Sequence, residues 1–490
     1  MNYKMTGRFI AQIISIEAVF MIPALIISAY CREWAAVTGF AYSIGIVLAV
    51  AGLLFLLCRK AKSLFGAREG LVSVGLGWIT LSLLGCLPFI FSGAIPHFMN
   101  AFFEIVSGFT TTGASILPEV ESLPKGILYW RSFSHWLGGM GVLVFLLAIA
   151  PSGGGDGEKG FTMHLLRAES PGPDVGKLVP KMRQTAVILY IIYVALTVIN
   201  VIFLLAGKMP VLEAVCTAFG TAGTGGFGIK NDSMASYSPY LQNVTTIFML
   251  LFGVNFSCYY LLLLRQVKAV WKDEELRLYI SLFVVATLVI LWNVWNQTSA
   301  LYGSTAEALR HAAFQVSSIM TTTGYTTVDY ELWPTLSKGI LLALMVVGAC
   351  AGSTGGGFKC ARVLLVYRSL RRNIRQVMNP RKVQVIRVNG KIVDEKVVAN
   401  TNAYLAAYMI SVVVAYLLIS KDGFTIGTNL SAVLACFNNI GPGMEAVGPT
   451  CNFGAYSDFS KLILSIAMLA GRLEIFPILA LLSRSTWKVR

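Results

Sequence analysis

Two near-copies of one fragment, Thr110-Thr111-Thr112-Gly113-Ala114 and Thr321-Thr322-Thr323-Gly324-Tyr325, constrain this chain more than anything else in it. Each ends an apolar, helix-patterned stretch, Ile95 to Phe109 and Ala306 to Met320, that is too short to cross a bilayer. Looser copies are Ala222-Gly223-Thr224-Gly225-Gly226 and Asn438-Asn439-Ile440-Gly441-Pro442. The central glycines Gly113, Gly225, Gly324 and Gly441 lie 112, 99 and 117 residues apart, so the chain reads as four repeats. Non-helical backbone at membrane depth is tolerated only where it is buried in protein or lines water. Four such loops, brought together, would make a ring of carbonyls around a narrow axis, which is a way to replace the water of a small cation.

The premise that the chain lies in a membrane comes from composition. Of 490 residues, 56% are hydrophobic and 13% charged, and the mean hydropathy is +0.69. A soluble domain cannot bury that much apolar surface. The net charge of +15 does not indicate nucleic acid, because the bases cluster in a few connecting segments as loops on the inner side of a membrane do. The nine cysteines form no CxxC pair and have no nearby histidine, so neither a disulfide framework nor a zinc site is expected. His97, His135, His164 and His311 are scattered.

In chain order, residues 1–68 form a two-helix extension, with spans Phe9 to Cys31 and Ala36 to Cys58. Glu17 inside the first span is expected to pair with a neighbouring helix or to lie near water. Repeat 1 (69–150) comprises Gly70 to Ser92, the short Ile95 to Phe109, the loop, and Ile127 to Ala150. An inner loop (151–183) precedes repeat 2 (184–272), with Ala186 to Ala206, the short Pro210 to Thr221, and Leu241 to Leu264. Repeat 3 (273–370) has Leu278 to Asn296, Ala306 to Met320 and Leu336 to Leu370. A basic linker (371–398) leads to repeat 4 (399–490), with Ala403 to Ile419, Thr428 to Phe437 and Phe459 to Leu482. The fold class is therefore an all-α polytopic membrane protein, four helix–pore-loop–helix repeats in pseudo-fourfold arrangement plus two N-terminal helices.

Lys60, Lys62, Arg68, Arg265, Lys268, Lys272, Arg277, the segment Arg362 to Lys396 and the tail Arg484, Lys488, Arg490 all fall on one side. That places both termini in the cytoplasm and the four loops facing out. Glu119, Glu121, Asp232, Asp329, Glu331, Glu445 and Asp458 follow the loops and read as an acidic mouth that raises local cation concentration.

The loops suit a monovalent cation. Glycine can aim its carbonyl at the axis, threonine adds an uncharged oxygen, and each short helix directs its negative dipole end toward the centre. A Ca2+ or Mg2+ site would bring carboxylates, and none of the loops has one. The candidate filter residues are Thr111, Thr112, Gly113, Gly223, Thr224, Gly225, Thr322, Thr323, Gly324, Asn439, Ile440 and Gly441. Together with Trp136-Leu137-Gly138-Gly139-Met140-Gly141, Asn255-Phe256-Ser257 and Gly471-Arg472-Leu473-Glu474-Ile475-Phe476, these loops resemble the Trk/Ktr/HKT superfamily of K+ transporters, most closely its bacterial TrkH/TrkG branch. The resemblance covers essentially the whole chain. It implies K+ held by filter carbonyls, a homodimer, a cytosolic nucleotide-binding regulatory ring (TrkA-like), no cofactor bound by this chain, and residence in the bacterial inner membrane. Gly220 and Gly223 stand where serine is expected, which would loosen the second loop and weaken K+ over Na+ discrimination.

Repeat 3's last helix is interrupted by Gly348-Ala349-Cys350-Ala351-Gly352-Ser353-Thr354-Gly355-Gly356-Gly357-Phe358-Lys359. It fails as a phosphate loop because Phe358 separates glycine from lysine. It reads as a flexible intramembrane segment below the filter, and the resemblance makes it the gate. Arg472 lies in an apolar final span and, by resemblance, projects into the pore; a pair with Glu474, two residues on, is disfavoured by helix geometry. The basic linker suits anionic lipid or a regulator. No nucleophile–base pair or metal cluster points to an enzyme. A secondary transporter coupling K+ to Na+ or H+ is the alternative, disfavoured by the absence of carboxylates in the ring.

Overall fold

The computed structural model describes residues 2–59, 67–141, 182–298, 302–381 and 384–487. Residues 142–150 of the expected span to Ala150, nearly all of the 151–183 loop, and Lys60, Lys62, Lys488 and Arg490 lie outside the described residues. Among the described residues the chain is helical, with one two-stranded hairpin, Arg387–Val388 against Lys391–Ile392, inside the basic linker. Six described helices are long and apolar enough to span a bilayer, led by Tyr3–Tyr30 and Trp34–Leu57. Large apolar side chains such as Ile26, Leu53, Leu288 and Leu417 point outward from these helices, the surface that hydrocarbon would cover.

The four short helices are Phe98–Phe109, Val211–Gly223, Thr305–Met320 and Ile426–Phe437. They are the core rather than the periphery: Phe103, Phe109, Ala218, Phe314, Ile319 and Ala435 are fully buried. The N-terminal pair packs on repeat 1, where the Glu33 carboxylate accepts the Lys125 amide at 2.9 Å and caps the next helix. Glu17 is neither paired nor wet. Its side chain is buried against Gly85 and Phe109, and neither oxygen has a hydrogen-bond partner among the described residues.

The expected continuous spans Leu241 to Leu264 and Phe459 to Leu482 are each broken, and the span Leu336 to Leu370 is interrupted at its glycine-rich segment. Pro239–Phe252 and Phe256–Leu263 meet at 88°; Thr335–Val347 and Cys360–Met378 are separated by the 348–359 segment; Asp458–Arg472 and Phe476–Leu482 are divided at Leu473–Ile475. Hydropathy averaged over a span hides the short first and last breaks between their apolar flanks, while the glycines of 348–359 announce the middle one. The breaks leave backbone groups to satisfy inside the protein. Asn255 does this for one: its Oδ1 accepts the Ser257 amide at 2.9 Å, while the Phe256 amide donates to Gly352 O at 3.0 Å.

Candidate functional site: a ring of four loops

All four short helices end the same way. The amides of Thr112, Gly225, Thr323 and Ile440 donate to carbonyls five residues back, on Ser107, Gly220, Ser318 and Ala435, at 2.8–2.9 Å. The amides of Thr111, Thr224, Thr322 and Asn439 donate three residues back. This is the Schellman termination, whose penultimate residue is left-handed. Those four residues have φ of 55°, 53°, 59° and 56°. Asparagine tolerates that conformation, but three β-branched threonines do not adopt it readily, at about 1–3 kcal/mol each. Strain repeated at three equivalent points marks a functional constraint rather than a turn of convenience.

Two residues later, Gly113, Gly226, Gly324 and Gly441 again have positive φ, from 77° to 99°. The second loop therefore registers one residue later than its sequence suggests: Gly226, not Gly225, is the partner of the other three glycines, and Gly225 corresponds to Thr112. The ring then closes residue by residue. A Cβ added to Gly113 would overlap the carbonyl oxygen of Gly225; one on Gly226, that of Thr323; one on Gly324, that of Ile440; and one on Gly441 would lie 2.8 Å from that of Thr112. Each repeat seats the carbonyl of the next, and the fourth returns to the first. The four glycines open together into a cavity of about 140 Å³.

The motifs beside the loops explain their glycines. Gly138 and Gly471 lie against the last carbonyls of the first and fourth short helices, Phe109 O and Phe437 O, with no room for a side chain. Thr110 and Thr112 hydroxyls meet at 2.8 Å, as do those of Thr321 and Thr323. Asn439 Nδ2 donates to Thr112 Oγ1 and to Met468 O, both at 3.0 Å, tying the fourth loop to the first. The second loop is not loose: the Tyr325 hydroxyl occupies the space a side chain on Gly220 would take.

Beneath the ring lies the 348–359 segment. The Gly356 amide donates to Thr322 Oγ1 at 2.6 Å, and Gly356 is pressed on Asn438 O. Gly348, Gly352, Gly357 and Lys359 have φ from 68° to 81°, so the segment cannot continue the helix. Cys350 N donates to Gly253 O at 3.1 Å, Ser353 turns back on Cys350 O at 2.7 Å, and buried Lys359 donates to Gly355 O. Ala349 and Ala351 complete the buried turn. Arg472 joins three repeats: it donates to Thr354 O at 2.9 Å, to Gly139 O at 2.6 Å and to Gly138 O. Glu474 pairs with Arg362.

Two groups in this assembly escaped the sequence reading. Glu104 and Arg131 form a fully buried ion pair at 2.7 Å. Glu104 also accepts from Ser115 and the Ile116 amide, and Arg131 lies over the Phe227 ring, bracing the first loop against the second. Glu275 accepts the amides of Ala351 at 2.6 Å and Ala361 at 3.0 Å, holding the intramembrane segment at both ends. For Glu104 and Arg131 a charge inside an apolar stretch was the available signal; Glu275, within the charged run Lys272 to Arg277, gave none. The outer acids also make local contacts. Glu121 accepts the Asn231 amide, Asp232 accepts from Ser236, Asp329 caps Glu331, Glu331 pairs with Lys338, and Asp458 meets His97. None lines the cavity, whose charged lining residues are Arg131 and Lys230.

Residues 38–487 match the family described as TrkH, cation transport protein. The chain belongs to that family. It is thus a polytopic transport protein, not an enzyme. It is 34% identical over 494 residues to the Trk system potassium uptake protein TrkH of Salmonella typhimurium, covering 100% of both chains. It is 32% identical to TrkG of Escherichia coli K12, covering 96% of this chain and 95% of that one. The crystal structure of the potassium transporter TrkH from Vibrio parahaemolyticus superposes with a TM-score of 0.88 at 31% identity, covering 100% of both.

Proposed function

We propose that this TrkH-family chain mediates K+ uptake across a bacterial inner membrane, through a filter made by the carbonyls at Thr112, Gly225, Thr323 and Ile440. The observation that carries this is the closed ring, in which each of those carbonyls is seated on a neighbouring repeat's glycine. Uncharged oxygens favour a weakly hydrated monovalent ion, and the C-terminal ends of four helices add negative potential. The relatives' names, potassium uptake proteins, agree. The 348–359 segment obstructs the path below and, with Arg472, acts as the gate. Both termini face the cytoplasm, where the basic linker meets anionic lipid and a nucleotide-binding regulatory ring; two copies of the chain assemble.

Reconstituted vesicles test the reading. Gly324→Ser drives a side chain into Ile440 O, so K+ flux or K+ over Na+ selectivity is expected to fall about tenfold or more. Unchanged selectivity would remove the filter assignment. A reversal potential that follows K+ alone, unmoved by pH or Na+, distinguishes a channel-like pathway from coupled transport.

A further inference from the structure

We propose that His135, on the second helix of repeat 1, is a specificity-determining residue that fixes the second quadrant of the ring. The four residues whose carbonyls face neighbouring glycines are Thr112, Gly225, Thr323 and Ile440. Three of them fill the space behind the ring with their own buried side chains. Thr112 and Thr323 do so through hydroxyl pairs with Thr110 and Thr321, and Ile440 does so by apolar packing. Gly225 has nothing to place there.

The space is filled from outside the repeat. A Cβ on Gly225 would overlap the imidazole of His135, meeting its Nδ1, Cγ and Cε1 together. His135 is fully buried in the helix Lys125–Gly139, with its ring centroid 4.3 Å from that of Phe227, just beyond the loop. Its own carbonyl occupies the place a side chain on Gly223 would need. One residue of the first repeat therefore covers both glycines that distinguish the second loop. Interiors are packed without slack, so the Gly225 carbonyl stands where the imidazole lets it stand. His135 and Gly225 are two halves of one part: a side chain at 225 needs the histidine gone, and removing the histidine leaves the glycine unsupported.

This inference rests on the reading of the loops as a filter, and a double-mutant cycle tests it. His135→Ala is expected to lower the K+ over Na+ permeability ratio about tenfold. Gly225→Thr in the presence of His135 should suppress K+ flux by a similar factor or more. The double variant, which gives the second loop the residue used by the first and third, should recover flux above Gly225→Thr and selectivity above His135→Ala. Additive losses, or wild-type selectivity in His135→Ala, would overturn the proposal. Should His135→Ala fail to yield monodisperse protein, His135→Ser, which also vacates the space over Gly225, replaces it in the cycle, with the same outcomes required. Gly324→Ser is measured alongside. If that variant keeps its selectivity, the filter reading falls; if it loses selectivity while the cycle is additive, only the role of His135 falls.

Discussion

The first and third loops hold themselves, whereas the second is held by others. In Thr110–Gly113 and Thr321–Gly324 the outer hydroxyls pair across the left-handed residue at 2.8 Å. In the second loop these positions are Gly223 and Gly225, and the missing volume comes from His135, while Tyr325 fills the space over Gly220 in the helix before it. The backbone path is nonetheless common to all: the same helix termination and the same pair of positive φ values. A ring can keep one geometry while assigning the work of support to different residues, provided the sum of packing at each quadrant is conserved.

The comparison can be broken most forcefully at the glycines. If the second loop is a full member of the ring in its shifted register, Gly226→Ser should cost K+ flux as severely as Gly324→Ser, about tenfold or more, because both drive a Cβ into a neighbouring carbonyl. A tolerant Gly226 would return the register to Gly225. Next in size is Tyr325→Ala. This removes a fully buried ring that the second loop leans on and should destabilise by about 3–5 kcal/mol, read as a lower melting temperature in detergent. Tyr325→Phe, which gives up only the bond to Thr217 O, should cost about 1 kcal/mol. Smaller again, Thr323→Val deletes one hydroxyl pair and should lower stability by about 1 kcal/mol, weakening the self-braced class alone.

The smallest effect concerns the fourth loop's outer end. Side-chain hydrogen bonds from Thr425 and then Thr428 hold the Glu445 carboxyl below its ordinary value. A carboxyl with a lowered folded-state pKa contributes stability above the unfolded value and loses it as pH falls through the folded one. Wild type and Glu445→Gln should therefore differ slightly in melting temperature at neutral pH and converge in acid. A difference that persists in acid would sever the link to these bonds.

How much was legible in the sequence follows the same division. The four loops were visible because glycine and threonine punctuate apolar runs at regular intervals, and because a short helix cannot be mistaken for a span. The shift at Gly226 was not visible. Gly223, Gly225 and Gly226 offer several equivalent registers, and the neighbours that distinguish them, His135 over Gly223 and Gly225 and the Thr323 carbonyl at Gly226, come from far along the chain. The breaks at Gly253–Asn255 and Leu473–Ile475 were hidden for another reason: each is three residues long between largely apolar flanks, so hydropathy averages over it, and the backbone of the first is satisfied by a tertiary partner, Gly352. Arg472 was read, by resemblance, as projecting into the pore; it donates to the carbonyls of Gly138, Gly139 and Thr354, and backbone acceptors leave no mark on a sequence. The acids after the loops read as a field at the pore mouth; that Glu121, Asp232, Asp329 and Glu331 also cap and brace local turns is a matter of particular side-chain contacts, which a count of charges does not show.

Placing four unequal loops on one polypeptide has a hereditary consequence. In a pore built from four identical chains, one codon change reaches the axis four times at once, and a modest local cost becomes a fourfold one. Here each codon reaches the axis once. A single substitution can therefore change a quarter of the ring while the other three quarters keep their geometry. The glycine-rich second loop and the asparagine-bearing fourth already differ in this way beside the two threonine loops.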